Sequence, residues 1–341
     1  MRDFARRAVG DRAAFFTEAA ARRSVPAWML EKDFWVCFLL GELFQLQPWR
    51  DHLVFKGGTS LSKVFGVIQR FSEDVDLSVS PEFLGMLESR LEDAPSPTQR
   101  QKRHKELEAA CVAAVQERFA PLLTEALTPQ LGEPESTGWN LLARVDETSQ
   151  SPVVLFRYPA AAAYSGYIRA EVKIEFGSLT DQRPVGDHAI TPMVAEEFPL
   201  TFTQASARVV ALEVERTFWE KATILHAEYH RRPDLPMRDR YSRHYSDLAA
   251  LIRHPLGERS MRRLDLLERV VHHKSRFFAS SWASYETAKP GTIRITPPDF
   301  RLKELEADYA KMADMFLKPA PAFSEILATL RAAETVINAS R

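Results

Sequence analysis

At 341 residues the chain is long enough for two packed domains, and its net charge of −1 excludes a general polyanion-binding surface. A content of 45% hydrophobic and 27% charged residues is that of a globular protein able to bury a sizeable core. The two cysteines, Cys37 and Cys111, cannot build a disulfide framework, which points to a reducing, cytoplasmic home.

Residues 1–50 read as helices. The stretch MRDFARRAVGDRAAFFTEAAARR mixes Arg with Asp and Glu and lacks an apolar core before a cleavage site, so it reads as an amphipathic helix and not a targeting peptide. In SVPAWMLEKDFWVCFLLGELFQL, Ser24 is placed to cap, and Trp28, Leu30, Phe34, Phe38 and Leu39 fall near helical spacing. The longest apolar run, FWVCFLLGELF, contains Glu42 and is about half the ~20 residues that a membrane span needs, so no membrane association is expected.

HLVFKGG then reads as a short strand stopped by glycines, and TSLSKVFGVI as a helix with Thr59 or Ser60 at its start. EDVDLSVS alternates polar and apolar residues as a half-buried strand does. Residues 83–127 are helical and charged, broken by DAPSPT, and LGEPESTG is a loop. Strands are expected at 139–146, 153–158 and 167–178, the last (YIRAEVKIEFGS) with the clearest alternation. Pro184, Pro192 and Pro199 punctuate the next stretch, and from about residue 206 the pattern is mainly helical. The expected architecture is α+β: helices and a mixed sheet over 1–204, then a helical domain over 205–341. Between residues 226 and 276, twelve Arg or Lys stand against seven Asp or Glu, with six of the nine histidines, so a local basic surface competes with an ordinary solvated helical face.

Two short patterns bear on chemistry. Gly57-Gly58-Thr59-Ser60 lets the backbone turn tightly after a strand, and the following helix offers unpaired N–H groups suited to phosphate. It lacks the Walker A spacing, and alone it is equally an ordinary strand–helix turn. Asp74 and Asp76, at i and i+2 on a strand, project from one face and suit Mg²⁺; alone they are equally a solvent-facing polar side.

Together, GGTSLSK and RFSEDVDL resemble the first motif of the AbiEii/MenT nucleotidyltransferase toxins, within the DNA polymerase β-like superfamily. The resemblance implies a mixed sheet flanked by helices, with Asp74 and Asp76 as metal ligands and catalytic residues, and a third carboxylate on a later strand. Arg169, Glu171, Lys173 and Glu175 share one face there; Glu175 is preferred over Glu171. In LEVERTFWEKATILH, Thr217 and Lys221 lie at i and i+4, and the resemblance makes Lys221 the cation at the triphosphate. YSRHYSDLAAL resembles the last motif, with Asp247 either binding the substrate hydroxyl or holding Lys221 in place. The implied catalytic set is Asp74, Asp76, Glu175, Lys221 and Asp247, with Lys221 and Asp247 brought to the cleft by the helical domain. The implied nucleotide-binding set is Gly57, Gly58, Thr59, Ser60, Lys63, Lys173 and Lys221.

The resemblance further implies a toxin that uses Mg²⁺ or Mn²⁺ to add nucleotides from NTP to the 3′ end of tRNA, blocking translation, and a cognate antitoxin as partner. Aromatics such as Tyr241, Tyr245, Phe277, Phe278 and Trp282 are candidates for base stacking, although most are expected to pack a core. The pairs His230/His244 and His272/His273 lack metal-ligand spacing. Nucleotidylation of a protein side chain, or a catalytically silent binding module, remain as alternatives.

Overall fold

A computed structural model describes residues 1–72, 74–164 and 169–340. Two compact units make up the chain, Met1–Val64 with Glu73–Ala211 and Phe65–Ser72 with Leu212–Arg341. The expectation from sequence had kept 65–72 with the first domain.

In the first unit the N-terminal helices are α1 (Arg2–Ala5), α2 (Val9–Arg23) and α3 (Ala27–Leu43). Apolar side chains surround α3 on all sides, which suits a helix enclosed in a core, and its residues from Met29 to Leu43 are buried. Its charged groups survive burial because each described one has a partner. Glu31 accepts hydrogen bonds from the Ala161 and Ala162 amides, Asp33 takes Lys63 and the Met193 amide, and Glu42 takes Arg2.

Strand β1 (Leu53–Lys56) runs into α4 (Gly57–Lys63), followed by β2 (Val75–Val79). Helices α5 (Glu88–Glu92), α6 (Pro97–Ala114), α7 (Ala120–Leu131) and α8 (Pro134–Thr137) come next. The start of α6 is written locally: Ser96 Oγ accepts from the Gln99 amide at 3.2 Å and Pro97 occupies the first turn. Strands β3 (Asn140–Val145), β4 (Pro152–Arg157), β5 (Glu171–Gly177) and β6 (Val185–Ile190), helix α9 (Met193–Glu197) and β7 (Ala207–Leu212) complete the set. The expected strand start at residues 167 and 168 lies outside the described residues.

The seven strands form one mixed sheet in the order β3-β4-β5-β2-β1-β7-β6. β1 and β2 pair antiparallel, while β2 with β5 and β1 with β7 are parallel. Val75, Leu77, Val172, Ile174 and Phe176 form its buried face. Neither β6 nor β7 was foreseen. β6 lies at the sheet's edge with alternating exposure, in a segment punctuated by prolines. The run ARVVAL falls where the sequence pattern reads as mainly helical, because a short apolar run fits either period.

The second unit is helical: α10 (Val214–Tyr229), α11 (Ser242–Arg253), α12 (Leu256–Met261), α13 (Leu264–Phe277), α14 (Leu302–Ala310) and α15 (Phe323–Ala339). Residues 65–72 join it through a short antiparallel bridge. The Phe71 amide donates to Met315 O at 2.6 Å and the Leu317 amide to Gln69 O at 2.9 Å.

Candidate active site

In the first unit the site starts at Gly57, where φ is +84°. A side chain there would collide with the Asp76 carboxylate, so the position needs glycine both for its backbone and for its clearance. Lys56 stands opposite Asp76 in the β1–β2 register, and Asp76 stands beside Glu175 in the β2–β5 register. Directly paired residues project from the same face, so Lys56, Asp76 and Glu175 form one row across three strands. Asp74 and Asp76 are half-buried, open on the face away from the apolar core.

Lys173 knits this face together. Its Nζ lies 3.0 Å from Glu175 Oε2 and 2.9 Å from Asp146 Oδ2. Burial works against the Lys173 charge, but the bonds to Asp146 and Glu175 prevail and raise its pKa. Asp146 sits in the β3–β4 turn, where the Ser149 amide, Lys173 and the Thr148 amide hold its carboxyl well below the usual range. Glu171 belongs to a different neighbourhood. It pairs with Arg157 at 3.3 Å, and three residues of strand separate it from Glu175. The register therefore places Glu175, and not Glu171, beside Asp76.

Several expected nucleotide ligands are occupied elsewhere. Thr59 Oγ1 donates to Asp74 O at 2.5 Å and Ser60 Oγ donates to Gly57 O at 2.9 Å, both from buried side chains. These hydroxyls brace the turn from within. Lys63 Nζ is held 2.6 Å from Asp33 Oδ1; burial disfavours its charge, but that partner outweighs it and raises its pKa.

The hard carboxylate oxygens of Asp74, Asp76 and Glu175 fit Mg²⁺ or Mn²⁺. Among the described residues no three Asp, Glu, His or Cys side chains already converge on a point, and Glu175 leans on Lys173. Few protein ligands suit an ion that shares its shell with water and substrate phosphate.

The second unit carries Lys221 on α10 and Asp247 on α11. Lys221 Nζ donates to Asp247 Oδ2 at 2.8 Å. This favours the second of the two expectations for Asp247, holding the lysine. Sequence reasoning missed the third member: Arg70 donates from Nε to Oδ1 and from Nη2 to Oδ2, each at 2.7 Å. All three side chains are buried. Burial alone would raise the Asp247 pKa, but Arg70 and Lys221 hold it well below the usual carboxylate range. Lys221 is lowered, by burial first and by the Arg70 charge against the pull of Asp247. His244, with no hydrogen-bond partner at Nδ1, is pushed far down by burial and by Lys221 and Arg243. Thr217 is buried and donates to Glu213 O at 3.4 Å, and Tyr241 and Tyr245 are core residues.

The seven-stranded mixed sheet with its flanking helices is of the α+β class. The solved structure of MenT4, a nucleotidyltransferase toxin from Mycobacterium tuberculosis H37Rv, shares this fold with a TM-score of 0.50 at 14% identity. That match covers 96% of this chain and 90% of the other. Residues 39–329 match the family model described as the nucleotidyl transferase AbiEii toxin of type IV toxin–antitoxin systems, and the chain belongs to that family. No curated protein matches. Membership makes the protein a nucleotidyltransferase toxin and implies an antitoxin partner. No helix among the described residues is long and apolar enough to cross a membrane.

Proposed function

We propose that the protein transfers a nucleotide from NTP to the 3′ acceptor end of tRNA in the cytoplasm, releasing pyrophosphate and blocking translation until its antitoxin intervenes. The observation that carries the reading is the register of Asp76 beside Glu175, with the Gly57 turn packed against the Asp76 carboxylate.

In the reaction, the acceptor hydroxyl oxygen bonds to the α-phosphorus, the bond to the β-phosphate bridging oxygen breaks, and the hydroxyl proton passes to solvent or a nearby base. Asp74, Asp76 and Glu175 are the residues that would hold the divalent cations. When bound, such ions supply Lewis-acid activation and neutralise charge on the attacking and leaving oxygens. Glycine at 57 and 58 permits close approach of the backbone to the phosphates. Lys173 orients Glu175, and Lys221 supplies a compact positive charge for the triphosphate. The tRNA acceptor is supported by exposed arginines in the second unit, among them Arg243, Arg253, Arg262 and Arg269, which suit phosphate contacts.

The test incubates the purified protein with each α-labelled nucleotide, Mg²⁺ or Mn²⁺, and separate tRNA and protein pools. Label at the tRNA 3′ end that disappears with Asp76→Ala is the expected result. Label confined to protein would replace the acceptor, and no label with any nucleotide would leave a binding module.

A further inference from the structure

Arg70 stands four residues before Asp74 in the chain, yet residues 65–72 belong to the second unit. Two backbone hydrogen bonds to residues 315 and 317 hold the segment there. Its arginine spends its Nε and Nη2 on the two oxygens of Asp247, while Nη1 reaches Phe71 O at 3.3 Å. Asp247 Oδ2 also accepts from Lys221. One buried carboxylate thus serves two buried cations.

Two physical consequences follow. A bidentate guanidinium fixes the plane of a carboxylate as a single ammonium does not. Asp247 therefore presents Oδ2 to Lys221 from one defined direction, which matters for a lysine whose stem has four rotatable bonds. Charge is the second consequence. An isolated Lys221–Asp247 pair would be neutral, with nothing left for a phosphate. Arg70 shares the same carboxylate, so the anion is not spent on Lys221 alone.

Building on the proposed transfer reaction, we infer that Arg70 is a positioning residue for Lys221: it orients Asp247 and takes up its charge, so that the lysine is both aimed and available for an incoming phosphate. The groups around Lys221 are few enough to isolate the effect. From α11 come Asp247, Arg243 and His244, and from α13 comes Lys274, whose Nζ donates to Glu220 O at 2.9 Å. On α10 itself Arg216 pairs with Glu220 at 3.2 Å, and Arg259 of α12 is engaged by Glu215.

The test uses the full chain labelled with ¹⁵N-lysine, the Lys221 signal being assigned by its loss in Lys221→Arg. In Arg70→Gln, removal of a like charge is expected to move the Lys221 Nζ titration upward by about one pH unit. Folded Arg70→Gln should also lose kcat by roughly 100-fold, with a smaller change in KM for NTP. Arg70→Lys keeps the charge and loses the fork, so its Lys221 titration should stay near wild type while kcat falls by about tenfold. A folded Arg70→Gln protein with unchanged Lys221 titration and wild-type kcat overturns the inference. Where that variant does not fold, wild-type kcat in Arg70→Lys overturns it instead. Should the wild-type protein transfer no nucleotide at all, the transfer reading fails, and the titration still decides whether Arg70 governs Lys221.

Discussion

Asp76 and Asp247 are the same functional group held under opposite conditions. Asp76 stands half-buried on a strand beside Glu175, open to what arrives on that face. Asp247 is closed off and carries two cations of its own unit. The first side chain is only half-buried, so its loss should damage chemistry and spare the fold. The second uses its charge internally, so its loss should damage both.

The largest expected effect falls on the open site. Asp76→Ala should lower nucleotide transfer by at least about 1000-fold, comparable with losing a group that stabilises the transition state directly. Chemical denaturation should find its stability within ~1 kcal/mol of wild type, because the side chain is only half-buried. A variant that unfolds would erase the contrast with Asp247.

Asp247→Ala tests the closed site. It leaves Arg70 and Lys221 buried without their anion, a loss on the order of 3–5 kcal/mol. Urea titration should show the destabilisation, and the folded fraction should also be impaired in transfer. Stability near wild type would mean that the three buried side chains are not a mutually dependent unit.

The second unit should also respond to acid through a residue with no counterpart on the strand face. His226 is fully buried; its Nδ1 accepts from the Arg294 amide, and its Nε2 lies 3.0 Å from Ser284 O. Burial lowers its pKa from 6.5 to about 4. Between those values the unfolded chain binds a proton that the folded chain refuses, so stability falls as pH drops through this window, by up to about 3 kcal/mol. Denaturation curves at pH 7, 5.5 and 4 should show that slope in wild type and a flatter one in His226→Gln. An equal slope in both proteins would assign the acid sensitivity elsewhere.

Gly57→Ala comes next in size. The left-handed φ and the collision with Asp76 should together cost roughly 1–2 kcal/mol. Because the obstructing atoms are those of the carboxylate proposed to hold the cation, transfer should fall more than stability does. Activity loss without destabilisation would show that Asp76 yields by moving.

Much of the open site was legible because it is local. An alternating strand puts Asp74 and Asp76 on one side, and the alternation of β5 puts Lys173 and Glu175 on one side, without knowledge of the fold. The glycine turn was equally visible, though not its purpose of clearing Asp76. Arg70 was written within the quoted motif but received no role, since its partner lies 177 residues away and no periodicity encodes that distance. Thr59, Ser60 and Lys63 show the converse limit: residue types suited to phosphate were read as ligands, while packing had turned them toward Asp74 O, Gly57 O and Asp33. β7 was hidden because a six-residue apolar run next to a helix carries no decisive period.

The smallest expected effect separates two glutamates that the sequence could only rank. Glu171 and Glu175 share a strand and a face, but register and partners differ. Glu175 lies beside Asp76 and leans on Lys173, whereas Glu171 pairs at 3.3 Å with an Arg157 that is half-exposed to solvent. An exposed pair of that kind contributes less than about 1 kcal/mol, so Glu171→Gln should leave denaturation and transfer essentially unchanged. Glu175→Gln keeps the shape but removes the charge next to Asp76 and frees Lys173 to lean wholly on Asp146. Transfer should fall by roughly tenfold or more, with the deficit greatest at low Mg²⁺ if the carboxylate helps to hold the ion. Equal activity in the two variants would confine the metal-binding role to Asp74 and Asp76, and a larger loss in Glu171→Gln would reverse the assignment read from the register.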